Sequence, residues 1–252
     1  TSRLSKQACC PELVDISLLK KLNRCFMKIG ILATGHAPDS LKAKLGDYPA
    51  MFTTLLEGHG FTFKTWDIEN QQFPQSLTQA DGWLITGSRH GVYEDHPWIA
   101  PLETFVRRAY EAHIPMVGVC FGHQIIAQAL GGTVAKFAGG WNIGHTEYTF
   151  EGAPLALNAW HQDQVTQIPA DARVVGQNSF CENAFLVYGN RAFTLQAHPE
   201  FEAAFIEGLI RTRAPGVVPA DLIQAARDAL DNPIQNNVIA ETMANFFKFK
   251  RP

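Results

Sequence analysis

The side chains best suited to chemistry are one cysteine in mid-chain and a histidine–acid pair far downstream. Cys120 ends the apolar run Ile114–Val119 and is followed by Phe121-Gly-His-Gln124. This pattern predicts a strand that ends at the cysteine and a helix that begins after it. Free N–H groups at a helix N-terminus favour a thiolate, and small neighbouring residues permit the tight turn that exposes a nucleophile. Cys120 is therefore a candidate nucleophile, with an inert core cysteine as the alternative.

The segment Leu195-Gln-Ala-His198-Pro-Glu200 supplies a candidate base and an acid to orient it. Two residues apart in an extended segment, the side chains of His198 and Glu200 leave the same face. Glu200 can then hold the imidazole tautomer while the ring faces the thiol. A surface turn that starts the next helix is the alternative interpretation. A cysteine, a histidine and an acid together predict acyl transfer through a thiol nucleophile.

Candidate oxyanion donors follow a short buried strand predicted over residues 82–86. Gly87 and Ser88 would place backbone amides at the carboxyl edge of the sheet, where α/β proteins bind ligands. Those amides, with the N–H of Phe121, could stabilise an oxyanion. A plain loop is an equally good interpretation of Gly87-Ser88 alone.

A second histidine–acid pair, His161 and Asp163, imitates the first one. We favour substrate-pocket lining, with His161 as a candidate substrate-binding residue, or loop hydrogen bonding for this pair, because no strand pattern carries it towards Cys120. Substitution at His161 should therefore be milder than substitution at His198.

Composition limits the class of protein. The chain has 252 residues, 46% of them apolar and 18% charged, as in an ordinary globular protein. A net charge of −3 gives no reason to expect nucleic acid or anionic membrane as a partner. Five irregularly spaced cysteines argue against a secreted disulfide framework, and no apolar run approaches the length of a membrane span. These features predict a cytoplasmic protein with reduced thiols.

The order of predicted elements indicates an α/β domain. Strand-like and helix-like segments alternate up to residue 132, which predicts right-handed crossovers and a parallel sheet. Several short strand candidates then follow closely, as in an appended antiparallel ribbon, before three C-terminal helices. Predicted strands are Lys28–Ala33, Phe61–Trp66, Gly82–Thr86, Pro115–Val119, Ile143–Phe150, Arg173–Gln177, Ala184–Val187 and Ala192–Gln196. Predicted helices are Tyr48–Glu57, Trp98–Ala112, His123–Leu130, Glu200–Arg213, Pro219–Leu230 and Pro233–Lys248.

We predict one folded domain over residues 27–252. Residues 1–26 differ in pattern and are interpreted as an N-terminal extension, non-native or disordered. A compact helix over Pro11–Leu22 is the competing interpretation.

Together, these segments resemble the class I (triad-type) glutamine amidotransferase family. The nucleophile motif stands as Gly118-Val-Cys120-Phe-Gly122-His-Gln124, the second motif as His198-Pro-Glu200, and the oxyanion strand as Ile85-Thr-Gly-Ser88. The resemblance is greatest to stand-alone members similar to the glutaminase domain of GMP synthase, and to γ-glutamyl peptidases.

The resemblance implies a flavodoxin-like, open, mostly parallel sheet flanked by helices, with a small antiparallel extension. It implies that Cys120 attacks the γ-amide of glutamine or a γ-glutamyl substrate, with His198 as acid and base and Glu200 orienting it. The amides of Phe121 and Ser88 (or Gly87) would hold the oxyanion, and Gln124 would lie beside the glutamyl group. No metal or cofactor is implied.

Two departures from the family pattern affect function. Gly87-Ser-Arg-His90 stands where many amidotransferases have Gly-Gly-Pro. After Glu200 only about 50 residues remain, too few for a synthetase module. Ammonia would then go to a separate synthetase subunit, or hydrolysis is itself the purpose. Three functions stay open: a glutaminase, a γ-glutamyl peptidase, and a catalytically silent regulatory module.

Overall fold

The computed structural model describes residues 26–249. Its main sheet has nine strands in the order β2-β1-β3-β4-β11-β10-β9-β6-β7, and β5 pairs with β8 in a separate two-stranded sheet. The strands are β1 (Met27–Ala33), β2 (Phe61–Asp67), β3 (Gly82–Ile85), β4 (Met116–Val119), β5 (Thr133–Lys136), β6 (Asn142–Phe150), β7 (Ala153–His161), β8 (Asp163–Gln167), β9 (Arg173–Gln177), β10 (Phe185–Tyr188) and β11 (Ala192–Leu195).

Seven α-helices connect or follow the strands within residues 26–249. They are α1 (Asp39–Leu45), α2 (Tyr48–Leu55), α3 (Ile99–Glu111), α4 (Phe121–Ala129), α5 (Ala203–Thr212), α6 (Ala220–Asp228) and α7 (Asn236–Lys248). Six of them match predicted helices, whereas α1 was not predicted. The helix predicted from Glu200 begins only at Ala203, which leaves Glu200 in the preceding turn.

Strands β2, β1, β3, β4 and β11 are parallel neighbours, and this arrangement positions the site. In β4, Gly118 pairs with Ile85 of β3 on one side and Thr194 of β11 on the other. The carboxyl ends of all three strands consequently meet at one edge of the sheet. The segments that follow them carry Gly87, Cys120 and His198.

Both faces of the central parallel strands β3, β4 and β11 are buried, as is typical of such sheets, whereas the edge strand β2 is largely exposed. Trp83 and Ile85 pack into one apolar cluster, and Leu84 between them packs into the other. Because successive side chains of β3 point to opposite faces of the sheet, this strand contributes to both apolar clusters of the core. The near-continuous apolar runs seen in the sequence follow from this double burial.

The remaining strands continue the sheet in antiparallel fashion from β11 through β10, β9, β6 and β7. The predicted fold class is confirmed, and the predicted late strands correspond to β6, β9, β10 and β11. The last of them, β11, was predicted in the antiparallel ribbon, but it is antiparallel only to β10 and pairs in parallel with β4. Strands β5, β7 and β8 were not predicted. Their sequences alternate weakly, and long-range pairing rather than local propensity makes them strands.

The segment interpreted as an N-terminal extension, residues 1–26, lies outside the described residues except for Phe26, which is exposed. Strand β1 begins at the next residue, Met27. Among residues 26–249, no helix combines the length and apolar character that a membrane crossing requires.

Candidate active site

Cys120 occupies a strained corner between β4 and α4. Its φ of 52° and ψ of −104° are rare for a residue with a side chain, and such strain is found where surrounding structure enforces it. Its N–H donates to the carbonyl oxygen of Leu195 at 2.9 Å. Cys120 is buried, with only 6% of its surface exposed.

Two glycines make this corner sterically feasible. A Cβ on Gly122 would lie 2.2 Å from the carbonyl oxygen of Ile85, and one on Gly118 would lie 2.4 Å from that of Gly122. Both contacts are with backbone, which cannot move aside. The close approach of β3, β4 and α4 therefore requires glycine at both positions.

His198 and Glu200 lie in the turn that follows β11, and this turn is anchored on β7. The N–H of His198 donates to the carbonyl oxygen of Asn158 at 2.8 Å. The side-chain amide of Asn158 donates to the carbonyl oxygen of Phe201, also at 2.8 Å. One residue of β7 thus holds both ends of the His198–Phe201 turn.

The imidazole of His198 is fixed on two sides. Its Nδ1 lies 2.8 Å from Oε1 of Glu200, and both side chains are almost completely buried. The ring of Phe201 stacks on it, with centroids 4.0 Å apart and planes 3° apart. Because Nδ1 is engaged by the carboxylate, Nε2 is the nitrogen left for a reacting group.

Electrostatics distinguish His198 from other buried histidines. Burial acts to lower the pKa of His198, but the negative charges of Glu200 and Cys120, together with hydrogen bonds to both, raise it well above the usual value. The raised pKa favours the protonated form of the His198 imidazole.

The loop after β3 presents its backbone beside this pair. A Cβ on Gly87 would lie 3.0 Å from Cε1 of His198 and 3.7 Å from Cβ of Cys120. Only a glycine leaves this gap open. The Gly87–Ser88 peptide thus forms one wall against the thiol and the imidazole.

Two threonines orient that peptide. The carbonyl oxygen of Gly87 accepts from Oγ1 of Thr86 at 3.1 Å and from Oγ1 of Thr34 at 3.2 Å. The N–H of Thr34 donates to Oγ1 of Thr86 at 3.0 Å, so the two side chains are coupled. Because a trans peptide is planar, the N–H of Ser88 points away from this carbonyl and hence away from both threonines.

A cavity of about 360 Å³ opens over these groups. Cys120, His198, Gly87 and Ser88 line one side of it, and Gln124 and His161 also reach it. The outer walls are formed by aromatic and charged side chains, which include Tyr48, Arg89, Tyr93, Glu94, Lys136, Trp141, Trp160, Phe201 and Arg213.

Gln124 and His161 have internal partners as well as cavity contacts. The Nε2 of Gln124 donates to the carbonyl oxygen of Asp163 and to Oε1 of Gln196, each at 3.0 Å. The Nδ1 of His161 lies 3.2 Å from the same carbonyl, and its Nε2 is buried with no hydrogen-bond partner among the described residues.

The expectation that no strand carries His161 towards Cys120 was wrong. His161 ends β7 and Asp163 begins β8, so both are strand residues, and His161 lines the cavity that holds Cys120. Its pKa is lowered to about 3, chiefly by burial and further by the charge of His198. His161 is accordingly neutral, whereas the raised pKa of His198 favours its protonated form.

Sequence reasoning missed several residues of this site. Thr34, Asn158 and Phe201 support the site from elements far apart in sequence, and Arg213 enters the cavity wall after α5. Phe201 follows the His-Pro-Glu motif directly, which was a usable signal. Thr34 and Asn158 had none, because only tertiary contacts give them a role.

Known proteins resemble this chain over most of its length. A glutamine amidotransferase-like protein of Schizosaccharomyces pombe is 27% identical, covering 86% of this chain and 97% of the relative. γ-Glutamyl peptidase 4 of Arabidopsis thaliana is 26% identical, covering 84% and 92%. The crystal structure of a glutamine amidotransferase from Methylobacillus flagellatus superposes with a TM-score of 0.69 at 21% identity, covering 88% and 92%, and supports the fold.

The model of the family "Glutamine amidotransferase class-I" matches residues 54–204. This range contains the glycine-rich loop, the Cys120 corner and the His198–Glu200 turn. The chain belongs to the class I glutamine amidotransferase family.

Proposed function

We propose that this protein hydrolyses γ-glutamyl amide bonds through a Cys120–His198–Glu200 triad. The observation that carries the proposal is a strained cysteine beside a buried imidazole that is bound to a carboxylate and has a raised pKa. An imidazolium next to a thiol stabilises the thiolate, which is the reactive form. A merely structural cysteine would need neither the corner nor the pair.

In the first half-reaction, the thiolate of Cys120 attacks the γ-carbonyl carbon. The oxyanion that forms lies between the N–H of Phe121, at the first turn of α4, and the N–H of Ser88 or Gly87. His198 then gives its proton to the nitrogen of the leaving group. The C–N bond breaks, ammonia or an amine leaves, and a γ-glutamyl thioester remains on Cys120.

In the second half-reaction, neutral His198 takes a proton from water as the water attacks the thioester. The same amides hold the second oxyanion, the C–S bond breaks, and glutamate leaves. The proton stays on His198 and the thiolate returns. Glu200 keeps Nδ1 of His198 protonated throughout, so Nε2 performs both transfers.

Glutamine is the first candidate substrate, with ammonia passed to a separate synthetase subunit. A γ-glutamyl peptide is the second candidate, and two observations favour it. γ-Glutamyl peptidase 4 of A. thaliana is matched over 92% of its length. In addition, Arg213 places a positive charge on the cavity wall, suited to the carboxylate of a peptide leaving group.

The third candidate, a silent regulatory module, is disfavoured by the same geometry. All three triad side chains are present, and the Cys120 corner retains its strain. A protein that had lost the reaction would have no reason to keep a strained backbone at this position.

The decisive experiment compares two substrate classes with purified protein. Glutamate and ammonia release from glutamine is measured beside glutamate release from γ-glutamyl dipeptides, with Cys120→Ser as the inactive control. Peptide turnover with negligible glutaminase activity would exclude the ammonia-supply role. Absence of turnover on both classes, or equal turnover by Cys120→Ser, would overturn the proposal itself.

A further inference from the structure

The loop between β3 and α3 carries a histidine–acid cluster that the proposed reaction does not use. His90, Glu94 and His96 each offer one potential ligand atom, and these atoms lie within 4.8 Å of one another. Nδ1 of His90 is 3.3 Å from Oε2 of Glu94, and Nε2 of His96 is 2.8 Å from the same oxygen. We propose that this cluster is a binding site for a divalent transition-metal ion, with zinc as the best match.

The spacing suits zinc. Tetrahedral coordination with bonds of about 2.0–2.2 Å separates neighbouring ligand atoms by roughly 3.3 Å. The two distances to Glu94 lie within about half an ångström of that value. Two imidazoles and one carboxylate are a zinc-type donor set, less suited to calcium or magnesium, which prefer all-oxygen sites.

Neighbouring groups contact two of the three proposed ligands, His90 and Glu94, in the way that outer-shell groups contact the ligands of a bound metal. Nε2 of His90 lies 3.1 Å from Oε1 of Glu69 and 3.3 Å from Nε of Arg89. Metal binding through Nδ1 requires the tautomer in which Nε2 carries the proton and donates it to Glu69. The second oxygen of Glu94 accepts from the N–H of Gly91 at 2.8 Å. In metal sites, a histidine usually binds the metal through one ring nitrogen and donates the N–H of the other nitrogen to a carboxylate.

Packing and charge support the same centre. The ring of His96 stacks on Trp98 with planes 9° apart, which restricts its rotation. Arg89 forms an ion pair with Glu69 at 3.1 Å, so the positive charge nearest the centre is offset. Glu94 then leaves a net negative charge that attracts a cation.

The position of the site gives it access to ligands. His90 and Glu94 line the same cavity as Cys120, whereas the triad side chains are not among the three metal ligands. With three protein ligands, zinc keeps a fourth position open. That position takes water or a donor atom of a bound small molecule.

Zinc binding to the full-length protein tests the proposal. Equilibrium dialysis with zinc chloride, followed by metal analysis, should give one more zinc per chain for the parent than for Glu94→Gln or His96→Gln. Both side chains are partly exposed, so these variants should fold, which circular dichroism would check. Glu69→Gln should keep the site but weaken it by about 10- to 100-fold.

The thiol of Cys120 could bind zinc instead of the proposed cluster. Substitution of cobalt(II) for zinc distinguishes the two sites by their absorption spectra. Cobalt bound by two imidazoles and a carboxylate gives visible d–d bands without the intense near-ultraviolet band of a cobalt–thiolate bond. Those visible bands should persist in Cys120→Ser and disappear in Glu94→Gln. Equal zinc stoichiometry in parent, Glu94→Gln and His96→Gln, or only a thiolate-type spectrum, would overturn the proposal. His59→Gln, which alters a histidine outside the cluster, serves as the matched control.

Discussion

The main-chain N–H of Cys120 donates to the carbonyl oxygen of Leu195 at 2.9 Å. This bond joins β4 to β11 at their carboxyl ends. His198 follows Leu195 by three residues, so the parallel pairing itself brings the imidazole to the thiol. The sheet register is thereby part of the active-site geometry.

Removal of the nucleophile should abolish hydrolysis without unfolding the protein. We expect Cys120→Ser to lower kcat by about 10⁴-fold or more, because serine is not activated by the same pair. Mass spectrometry of the intact parent, quenched during turnover, should show a γ-glutamyl adduct that Cys120→Ser lacks. An adduct on another cysteine would contradict the assignment.

The two cavity histidines should respond differently to the same change. His198→Gln should reduce kcat by about 10²- to 10⁴-fold, the usual contribution of general acid–base catalysis. His161→Gln should cost less than about tenfold in kcat, since the low pKa of His161 leaves it neutral and unable to serve as the acid. Steady-state kinetics on the preferred substrate would measure both. Equal losses would mean that His161 takes part in proton transfer.

Thr34 should control the orientation of the Gly87–Ser88 peptide. Thr34→Val keeps the shape but removes the hydroxyl near two carbonyl oxygens, those of Thr86 and Gly87. We expect kcat to fall about tenfold, less than the loss of an oxyanion donor outright, with KM changed little. Thr34→Ser retains the hydroxyl and should restore most of the rate. A Thr34→Ser variant as slow as Thr34→Val would argue against the hydrogen bonds.

The Gly122 position should tolerate no side chain. In Gly122→Ala the Cβ would meet the backbone oxygen of Ile85 at 2.2 Å, so we expect a loss of about 3 kcal/mol in the free energy of unfolding. Gly208→Ala is the control, because its Cβ would meet Leu41 side-chain atoms at 2.4 Å and that side chain can rotate. Urea denaturation of both variants should show the smaller loss for Gly208→Ala.

Buried neutral His161 should make the protein less stable in acid. Its folded pKa of about 3 lies below the unfolded value of about 6.5, so the unfolded state binds more protons between these values. The contribution of His161 is therefore complete above pH 6.5 and decreases as the pH falls towards 3. In His161→Gln, the urea midpoint should fall less between pH 7.5 and pH 4.5 than in the parent. Identical slopes would show that His161 is not neutral and buried.

Much of the architecture was predictable because its signals are local. Buried parallel strands give apolar runs, and glycines mark the corner at Cys120, so the fold class and the first four parallel strands were anticipated. The fifth, β11, was predicted as a strand of the antiparallel ribbon, because its parallel pairing with β4 depends on tertiary structure. The helix start at Glu200 was misplaced by three residues, because Asn158 holds the His198–Phe201 turn from another strand. Strands β5, β7 and β8 were missed for a related reason, since pairing rather than composition makes them strands.

The sequence by itself determined the chemical groups: a thiol after a strand, a histidine two residues before an acid at the end of another strand, and glycines where backbones must approach closely. These are statements about residue types and short spacings, which the local chain geometry limits strongly. Tertiary structure decided the rest. It brought His161 into the cavity, set the Thr34–Gly87 bonds, stacked Phe201 on His198, and gathered His90, Glu94 and His96 around one centre. Those relationships depend on distances between separate elements and on burial, and neither quantity exists until the chain is folded.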